Sequence, residues 1–183
     1  CYVFQRKVID EIPAGRPVSV ERETFPALLA AGARVWGHVD NAYWRDLGTP
    51  ADLVHGSADL VRGIAPSAAL PGPPGERLVL EGAELARDAL VFGGTAVGRD
   101  VRIGAGARVE GSMLFDGAVV GPGALVRHSV IGYGAQVHDG AVVIDAVVGD
   151  RAIIGAHCEL RHGARVWPDV ALPPHGVRFS PDV

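Results

Sequence analysis

The chain has 183 residues, 48% of them apolar, and a formal net charge of −4. This length suits one ordinary domain or two small ones, and the near balance of charge, with Lys7 the single lysine beside sixteen arginines, argues against nucleic acid as a partner. No apolar run reaches the roughly 18 residues of a membrane span and no secretory signal is visible, so we expect a cytoplasmic protein with no membrane partner.

The first part of the chain, residues 1–63, has a mixed α/β pattern. It predicts a short strand at 2–4, a helix over 19–31 and a second strand over 33–39. A further helix is predicted to begin at Pro50, since Thr49 suits the N-cap and proline suits the first helical position. Gly63 is expected to end it.

A proline-rich stretch follows at residues 64–78, IAPSAALPGPPGERL, with four prolines. This composition is typical of a linker or an extended strap. The chain opens at Cys1 inside the first predicted strand and without an initiator methionine. We therefore expect it to be a piece of a longer protein.

From residue 79 onward, branched aliphatic residues recur at intervals of six positions. Three intervals of five interrupt the sixes, and these recur every 17 residues. The aliphatic positions are Leu85, Val91, Val97, Ile103, Val109, Leu114, Val120, Val126, Ile131, Val137, Val143, Val148, Ile154, Leu160 and Val166. This period belongs to neither a helix nor a single strand, but hexapeptide repeats are typical of a β-helix with three short strands per coil.

The repeats predict a mostly β fold, a three-sided parallel β-helix over residues 79–183 with a C-terminal cap. About five coils fit between residues 79 and 171, with the fifteen aliphatic side chains pointing inward. The solenoid ends must be covered. Residues 166–179 are expected to cap one end, and the linker with residues 1–63 the other.

Four histidines on the repeats, His128, His138, His157 and His162, are candidates for a general base of the kind that hexapeptide-repeat acyltransferases use. A metal site is a further alternative, because His157 and His162 are five residues apart and a third histidine could come from a neighbouring coil. The plainer interpretation is that all four lie on a solvated wall. An acyltransferase would also be expected to send a long loop out of the coils, and the sequence shows none.

Three segments of the first part carry a resemblance to a known family: YVF…VIDEIP, SVERETFPALLAAGARVWGHV and YWRDLGTPADLVHGSADL. They resemble the end of the catalytic domain of sugar nucleotidyltransferases, especially mannose-1-phosphate guanylyltransferases. That family also ends in a left-handed β-helix of hexapeptide repeats, and SMLFDGAVVGPGA and GARVWPDV are similar to its sequence there. The most specific motif is YWRDLGTP.

The resemblance implies nucleotidyl transfer between a nucleoside triphosphate and a sugar 1-phosphate, dependent on Mg²⁺. It implies that Asp46, the aspartate of the family's W-x-D-x-G-T-P motif, is a metal ligand, a role that suits the preference of Mg²⁺ for carboxylate and phosphate oxygens. The glycine-rich triphosphate loop, second metal aspartate and sugar-phosphate lysine of the family are not in this sequence. The catalytic residues are therefore expected in a missing N-terminal half.

These features together predict the C-terminal part of a sugar nucleotidyltransferase whose parent makes GDP-mannose from GTP and mannose 1-phosphate. Residues 1–63 would be the end of the catalytic domain, 64–78 a linker, and 79–183 a β-helix that serves assembly or regulation, with homo-oligomers as the expected form. Two alternatives remain open: a hexapeptide-repeat acyltransferase and a purely structural oligomerisation module.

Overall fold

The structure is a computed structural model that describes residues 1–179. Its internal contacts divide the chain into two units, one from Cys1 to Ala42 and one that begins at Tyr43. The sequence analysis placed the end of the catalytic remnant after residue 63, and the division into 1–63, 64–78 and 79–183 stays a prediction. Within the described residues, no helix combines the length and the apolar character needed to cross a membrane.

The first unit contains two short helices, α1 (Arg6–Glu11) and α2 (Phe25–Ala30), and a π-helical turn, Val20–Thr24, that leads into α2. The predicted helix over 19–31 is therefore present, but its first turn is wider than an α-helix. Pro26 follows this turn, and it has no backbone N–H to donate to the carbonyl of Arg22. The N–H of Phe25 instead reaches back to the carbonyl of Val20.

The two strands predicted in this unit, at 2–4 and 33–39, are wrong: both segments lack strand structure. Their alternating side chains suit a strand, but a strand also needs a hydrogen-bonded neighbour. Among the described residues neither segment has one. Val35, Trp36 and Val39 are exposed instead.

The second unit begins with a loop and helix α3 (Pro50–Val61), which confirms the helix predicted to begin at Pro50. The side-chain oxygen of Thr49 accepts a hydrogen bond from the backbone N–H of Asp52 at 3.1 Å, as an N-cap does. After the helix, Gly63 adopts a positive φ of 77°, a conformation that glycine reaches without steric cost. The helix buries Val54, Gly56, Ala58 and Val61.

The rest of the unit is a three-sided parallel β-solenoid, which confirms the predicted fold class. Each side is a six-stranded sheet. The first sheet contains β1 (Arg77–Val79), β4 (Thr95–Val97), β7 (Met113–Leu114), β10 (Val130–Ile131), β13 (Val147–Val148) and β16 (Arg165–Val166). The second contains β2 (Glu84–Leu85), β5 (Arg102–Ile103), β8 (Val119–Val120), β11 (Gln136–Val137), β14 (Ile153–Ile154) and β17 (Ala171–Leu172). The third contains β3 (Leu90–Phe92), β6 (Arg108–Glu110), β9 (Leu125–Arg127), β12 (Val142–Ile144), β15 (Glu159–Arg161) and β18 (Val177–Phe179).

The solenoid extends further toward the C-terminus than the sequence predicted. Six strands per sheet make six coils rather than about five. The predicted cap at 166–179 is the sixth coil itself, because β17 pairs with β14 and β18 pairs with β15. The aliphatic period breaks in this last coil: Arg178 lies in register with Leu160, where the pattern calls for an aliphatic residue. The last coil was for that reason predicted as a cap and not as part of the repeat.

The core is a stack of aliphatic side chains in register from coil to coil. On the second sheet, for example, Ile103, Val120 and Val137 lie in line. Fourteen of the fifteen aliphatic residues predicted to point inward are buried, and Leu85 is partly buried against them. The inward register is therefore confirmed across the repeats.

A ladder of buried hydroxyl groups runs along one edge of the prism, beside the aliphatic core. The hydroxyl of Thr95 accepts from the N–H of Ser112 at 3.3 Å, and that of Ser112 accepts from the N–H of Ser129 at 3.1 Å. The hydroxyl of Ser129 in turn accepts from the N–H of Ala146 at 3.1 Å. Each hydroxyl also donates to a backbone carbonyl two or three residues earlier. Buried polar groups are tolerated here because every hydroxyl has a donor and an acceptor partner.

Helix α3 lies along this same edge, where the third sheet turns into the first, at residues 93–94, 111, 128, 145 and 162–163. We call it the α3 edge. A β-carbon on Gly94 would lie 2.8 Å from Ala58, so glycine lets the helix approach the edge closely there. Twelve helical residues rise about 18 Å, which matches about four spacings between coils. The segment that the sequence analysis expected to cap the solenoid therefore includes a helix that lies along its side.

Candidate functional site

The loop that precedes α3 is anchored to the helix on both sides of Asp46. On one side, the guanidinium of Arg45 and the hydroxyl of Tyr43 each donate to the Asp59 carboxylate at 2.8 Å. On the other, Leu47 packs against the helix at Gly56, where an added β-carbon would lie 2.8 Å from the leucine side chain. These two contacts fix the backbone that carries Asp46.

The electrostatics of this anchor favour ionised groups. The hydrogen bond from the Tyr43 hydroxyl, assisted by Arg45, lowers the pKa of the Asp59 carboxyl below its ordinary value. Hydrogen bonds with Tyr43 and Asp59 raise the pKa of the Arg45 guanidinium. Asp59 is only partly exposed, so the ion pair is better shielded from solvent than most of the pairs on this surface.

Asp46 differs from the other two aspartates of this segment. Asp52 accepts a hydrogen bond from the Thr49 hydroxyl at 2.6 Å, and Asp59 holds the anchor. The Asp46 side chain is exposed, and no described residue forms a hydrogen bond or an ion pair with its carboxylate. A β-carbon on Gly48 would lie 3.5 Å from Asp46 Oδ2, so glycine at that position keeps one side of the carboxylate open.

An exposed carboxylate on a fixed backbone suits Mg²⁺, which takes one or two carboxylates together with phosphate oxygens and water. Within residues 1–179, no three His, Cys, Asp or Glu side chains converge in a way that could hold a metal ion. The assignment of Asp46 as a Mg²⁺ ligand stays a prediction.

The four candidate histidines are divided among different parts of the solenoid surface. His128 and His162 lie on the α3 edge and line one groove together with Asp145. His157 lies on a different edge, where its ring stacks on that of His175 with 5.3 Å between the centroids. The Nε2 atom of His138 lies 3.3 Å from Oε1 of Gln136 on the solenoid surface.

This placement bears on both alternatives that the histidines raised. His157 and His162 lie on separate edges, so the structure does not bring together the pair on which the metal-site alternative depended. The coils also run from residue 77 to residue 179 without a long excursion. The loop that would cover an acyl donor is therefore not found in this part of the chain.

The solenoid is the part of the chain that matches a known family. A sequence model of the GMPPB C-terminal domain matches residues 74–177, which is more than half of the chain and corresponds to the solenoid. The chain belongs to the GMPPB C-terminal domain family. The resemblance of the solenoid to the C-terminal region of mannose-1-phosphate guanylyltransferases is thereby confirmed.

Curated relatives extend this likeness beyond the GMPPB C-terminal domain. The chain is 61% identical over 184 residues to mannose-1-phosphate guanylyltransferase from Mycobacterium tuberculosis (strain ATCC 25618 / H37Rv), a match that covers 100% of this chain and 51% of that protein. It is 34% identical over 114 residues to mannose-1-phosphate guanylyltransferase 1 from Arabidopsis thaliana, covering 60% of this chain and 29% of that protein. The chain thus spans about half the length, or less, of these relatives.

Among solved structures, the chain is similar to a mutant of perosamine N-acetyltransferase from Caulobacter crescentus in complex with CoA and GDP-perosamine. The TM-score is 0.34 and the identity 20%, over 53% of this chain and 52% of that one. A similarity with so low a TM-score and identity carries no argument about the function of this chain.

Sequence reasoning missed the anchor around Asp46 and the groove on the α3 edge. The anchor has a local signal, because Tyr43, Arg45 and Asp59 all lie within YWRDLGTPADLVHGSADL. What the sequence does not contain is the fold of the loop back over α3. The groove depends on the position of a helix relative to three different coils, and no local pattern carries that information.

Proposed function

We propose that this chain is the C-terminal part of a sugar 1-phosphate nucleotidyltransferase whose whole protein makes GDP-mannose from GTP and mannose 1-phosphate. The observation that supports this most strongly is the 61% identity to a mannose-1-phosphate guanylyltransferase, which extends over the whole chain and not over the solenoid alone. Such an enzyme is cytoplasmic on this proposal, since its substrates are soluble phosphorylated metabolites.

Asp46 is the residue of this chain that we assign to the reaction. When bound, Mg²⁺ would neutralise charge on the triphosphate and on the pyrophosphate that leaves. The contribution of the chain is to present one carboxylate from a loop that is held by Asp59 on one side and Gly56 on the other. A carboxylate fixed in this way loses little conformational freedom when a metal binds, and positioning is a large part of catalysis.

The test is a chimera in which this chain is joined to the part of the Mycobacterium tuberculosis relative that lies outside the match. We expect it to release pyrophosphate from GTP in the presence of mannose 1-phosphate and Mg²⁺. The 183-residue chain alone should release none. An inactive but well-folded chimera, or pyrophosphate release by the chain alone, would contradict the proposal.

In the same chimera, Asp46→Asn should lower turnover roughly a hundredfold or more, since the loss of a metal contribution of several kcal/mol costs about tenfold for each 1.36 kcal/mol. Its melting temperature should not change, because the side chain is exposed and no described residue bonds it. The matched control is Asp88→Asn, an exposed aspartate on the solenoid, which should leave turnover unchanged. Equal turnover in both variants would remove Asp46 from the metal site.

The solenoid is proposed to serve assembly through its outer walls. Trp167 is 76% exposed and Tyr133 is 51% exposed on the edge where the first sheet turns into the second, and large aromatic side chains of this kind are typical of interfaces. Sedimentation equilibrium of the chain should report a mass above 19.1 kDa, and Trp167→Ser should reduce it. A chain that stays monomeric at all concentrations would contradict the proposed role in assembly.

A further inference from the structure

A groove between α3 and the solenoid has no role in the function proposed above. It has a volume of about 420 Å³, within the range of small-molecule sites. Apolar side chains form its walls: Pro50, Ala51 and Val54 from the helix side, and Val130, Ala146 and Val147 from the coils. The helix touches the α3 edge closely at Gly94 but leaves this space beside β10, β13 and β16, the fourth to sixth strands of the first sheet.

Polar side chains line the same groove from two directions. His55 comes from α3, and its ring centroid lies 6.1 Å from that of His128 on the solenoid. Arg165 also lines the groove, and its guanidinium makes no ion pair with any described side chain. The acidic member of the lining, Asp145, lies 3.6 Å from His128 Nδ1 and thus directs its charge to that imidazole.

The backbone of the α3 edge places these side chains at corners of the solenoid, where positive φ is common and is shared by His157 and His175 on another edge. His128, Asp145 and His162 have positive φ angles of 47°, 49° and 52°, in a region that costs a residue with a β-carbon about 1–3 kcal/mol. The preceding positions of the same edge, Gly94 and Gly111, use glycine for this conformation. The edge therefore changes from glycine to polar side chains where the groove opens.

We propose that this groove binds a phosphate monoester with a small apolar or ring-shaped organic group. Arg165 offers a fork of N–H donors that matches a phosphate, and a ring N–H of His55 can add one donor beside the imidazole of His128, which lines the same space. The apolar walls would contact the organic group, which inorganic phosphate lacks. A metal ion is a poorer occupant, since no three ligand side chains in the described chain converge on one point. This inference does not depend on nucleotidyl transfer.

The test is an NMR titration of the 183-residue chain, with labelled histidine rings, against phenyl phosphate as the probe. The ring signals of His55 and His128 should shift in a saturable way at millimolar probe. His138, His157 and His175 lie outside the groove and should not shift, so they serve as internal controls. Inorganic phosphate should bind more weakly than phenyl phosphate, because it leaves the apolar walls unfilled.

Two variants separate binding from folding. Arg165→Gln should weaken phenyl phosphate binding about tenfold, since it removes a charge-assisted hydrogen bond. The control Arg102→Gln, an exposed arginine on the second sheet, should bind as the unaltered chain does. His128→Asn should also weaken binding while it keeps a residue type that tolerates positive φ. The proposal is overturned if the histidine signals do not shift, if all seven histidines shift alike, or if Arg165→Gln leaves the titration unchanged.

Discussion

The inward register of the solenoid can be tested by exchanging two neighbouring residues of β11 separately for alanine. Val137 is 0% exposed and lies in line with Val120 and Ile154, whereas Gln136, one position earlier, is exposed. Val137→Ala removes two methyl groups from a packed stack. At about 0.8 kcal/mol for each buried methylene equivalent, plus a term for the cavity left behind, the expected loss is about 2 kcal/mol.

The assay is thermal unfolding of the two variants beside the unaltered chain. A loss of about 2 kcal/mol corresponds to a fall of about 4–8 °C in melting temperature for a chain of this size. Gln136→Ala should stay within about 0.5 kcal/mol, as exposed substitutions usually do. Val137→Asp extends the series, because an unpaired carboxylate in the stack should prevent cooperative folding. If Gln136→Ala melts lower than Val137→Ala, the assignment of faces is wrong by one residue. If the two alanine variants melt alike, the core argument fails.

Three further changes address other parts of the molecule. Ser129→Ala should cost about 1–3 kcal/mol in unfolding experiments, because it leaves the buried N–H of Ala146 without its acceptor; a neutral result would mean that the hydroxyl ladder adds nothing. Gly94→Ala should destabilise the chain by about 2 kcal/mol or more, since the new methyl group meets Ala58 of α3, and a melting temperature equal to that of the unaltered chain would contradict the close approach of the helix. The lowered pKa of Asp59 means that its hydrogen bond from Tyr43 and its ion pair with Arg45 stabilise the fold above the ordinary carboxyl value of 3.8, and that this contribution is lost as pH falls through the lower folded pKa. Asp59→Asn should therefore be less stable than the unaltered chain near neutral pH, with a difference that shrinks in acid; a difference that is constant with pH would rule out the ion pair as its source.

The sequence predicted the core of the solenoid well because each buried position repeats in the same chemical form. Val126, Val143 and Leu160, for example, are 17 residues apart and lie in register. The same reasoning failed for residues 33–39, where alternation suits a strand but the described chain supplies no neighbouring strand. Local pattern determines which face of a segment is apolar, whereas pairing depends on what else is present.

Contacts between residues far apart in the sequence could not be predicted from local patterns either. Thr49 and Pro50 predict where α3 begins, and the helix does begin there. The sequence of the helix does not predict that Ala58 lies against Gly94. This contact occurs once and is not part of a repeat, so no periodic pattern indicates it. The candidate site shows the same difference. A sequence motif predicted Asp46, whereas only the structure shows its anchor and the groove on the α3 edge.

The lengthwise position of α3 has a consequence for cooperativity. In a solenoid, hydrogen bonds join each coil only to its immediate neighbours, so the ends can fray while the middle persists. A helix that lies against Gly94 near one end and brings His55 to within 6.1 Å of the His128 ring further along couples coils that are otherwise independent. Local opening of one coil would then weaken the support of the others through the helix. Amide hydrogen exchange along the α3 edge should accordingly report a single opening free energy for these coils, rather than a gradient that decays from the ends.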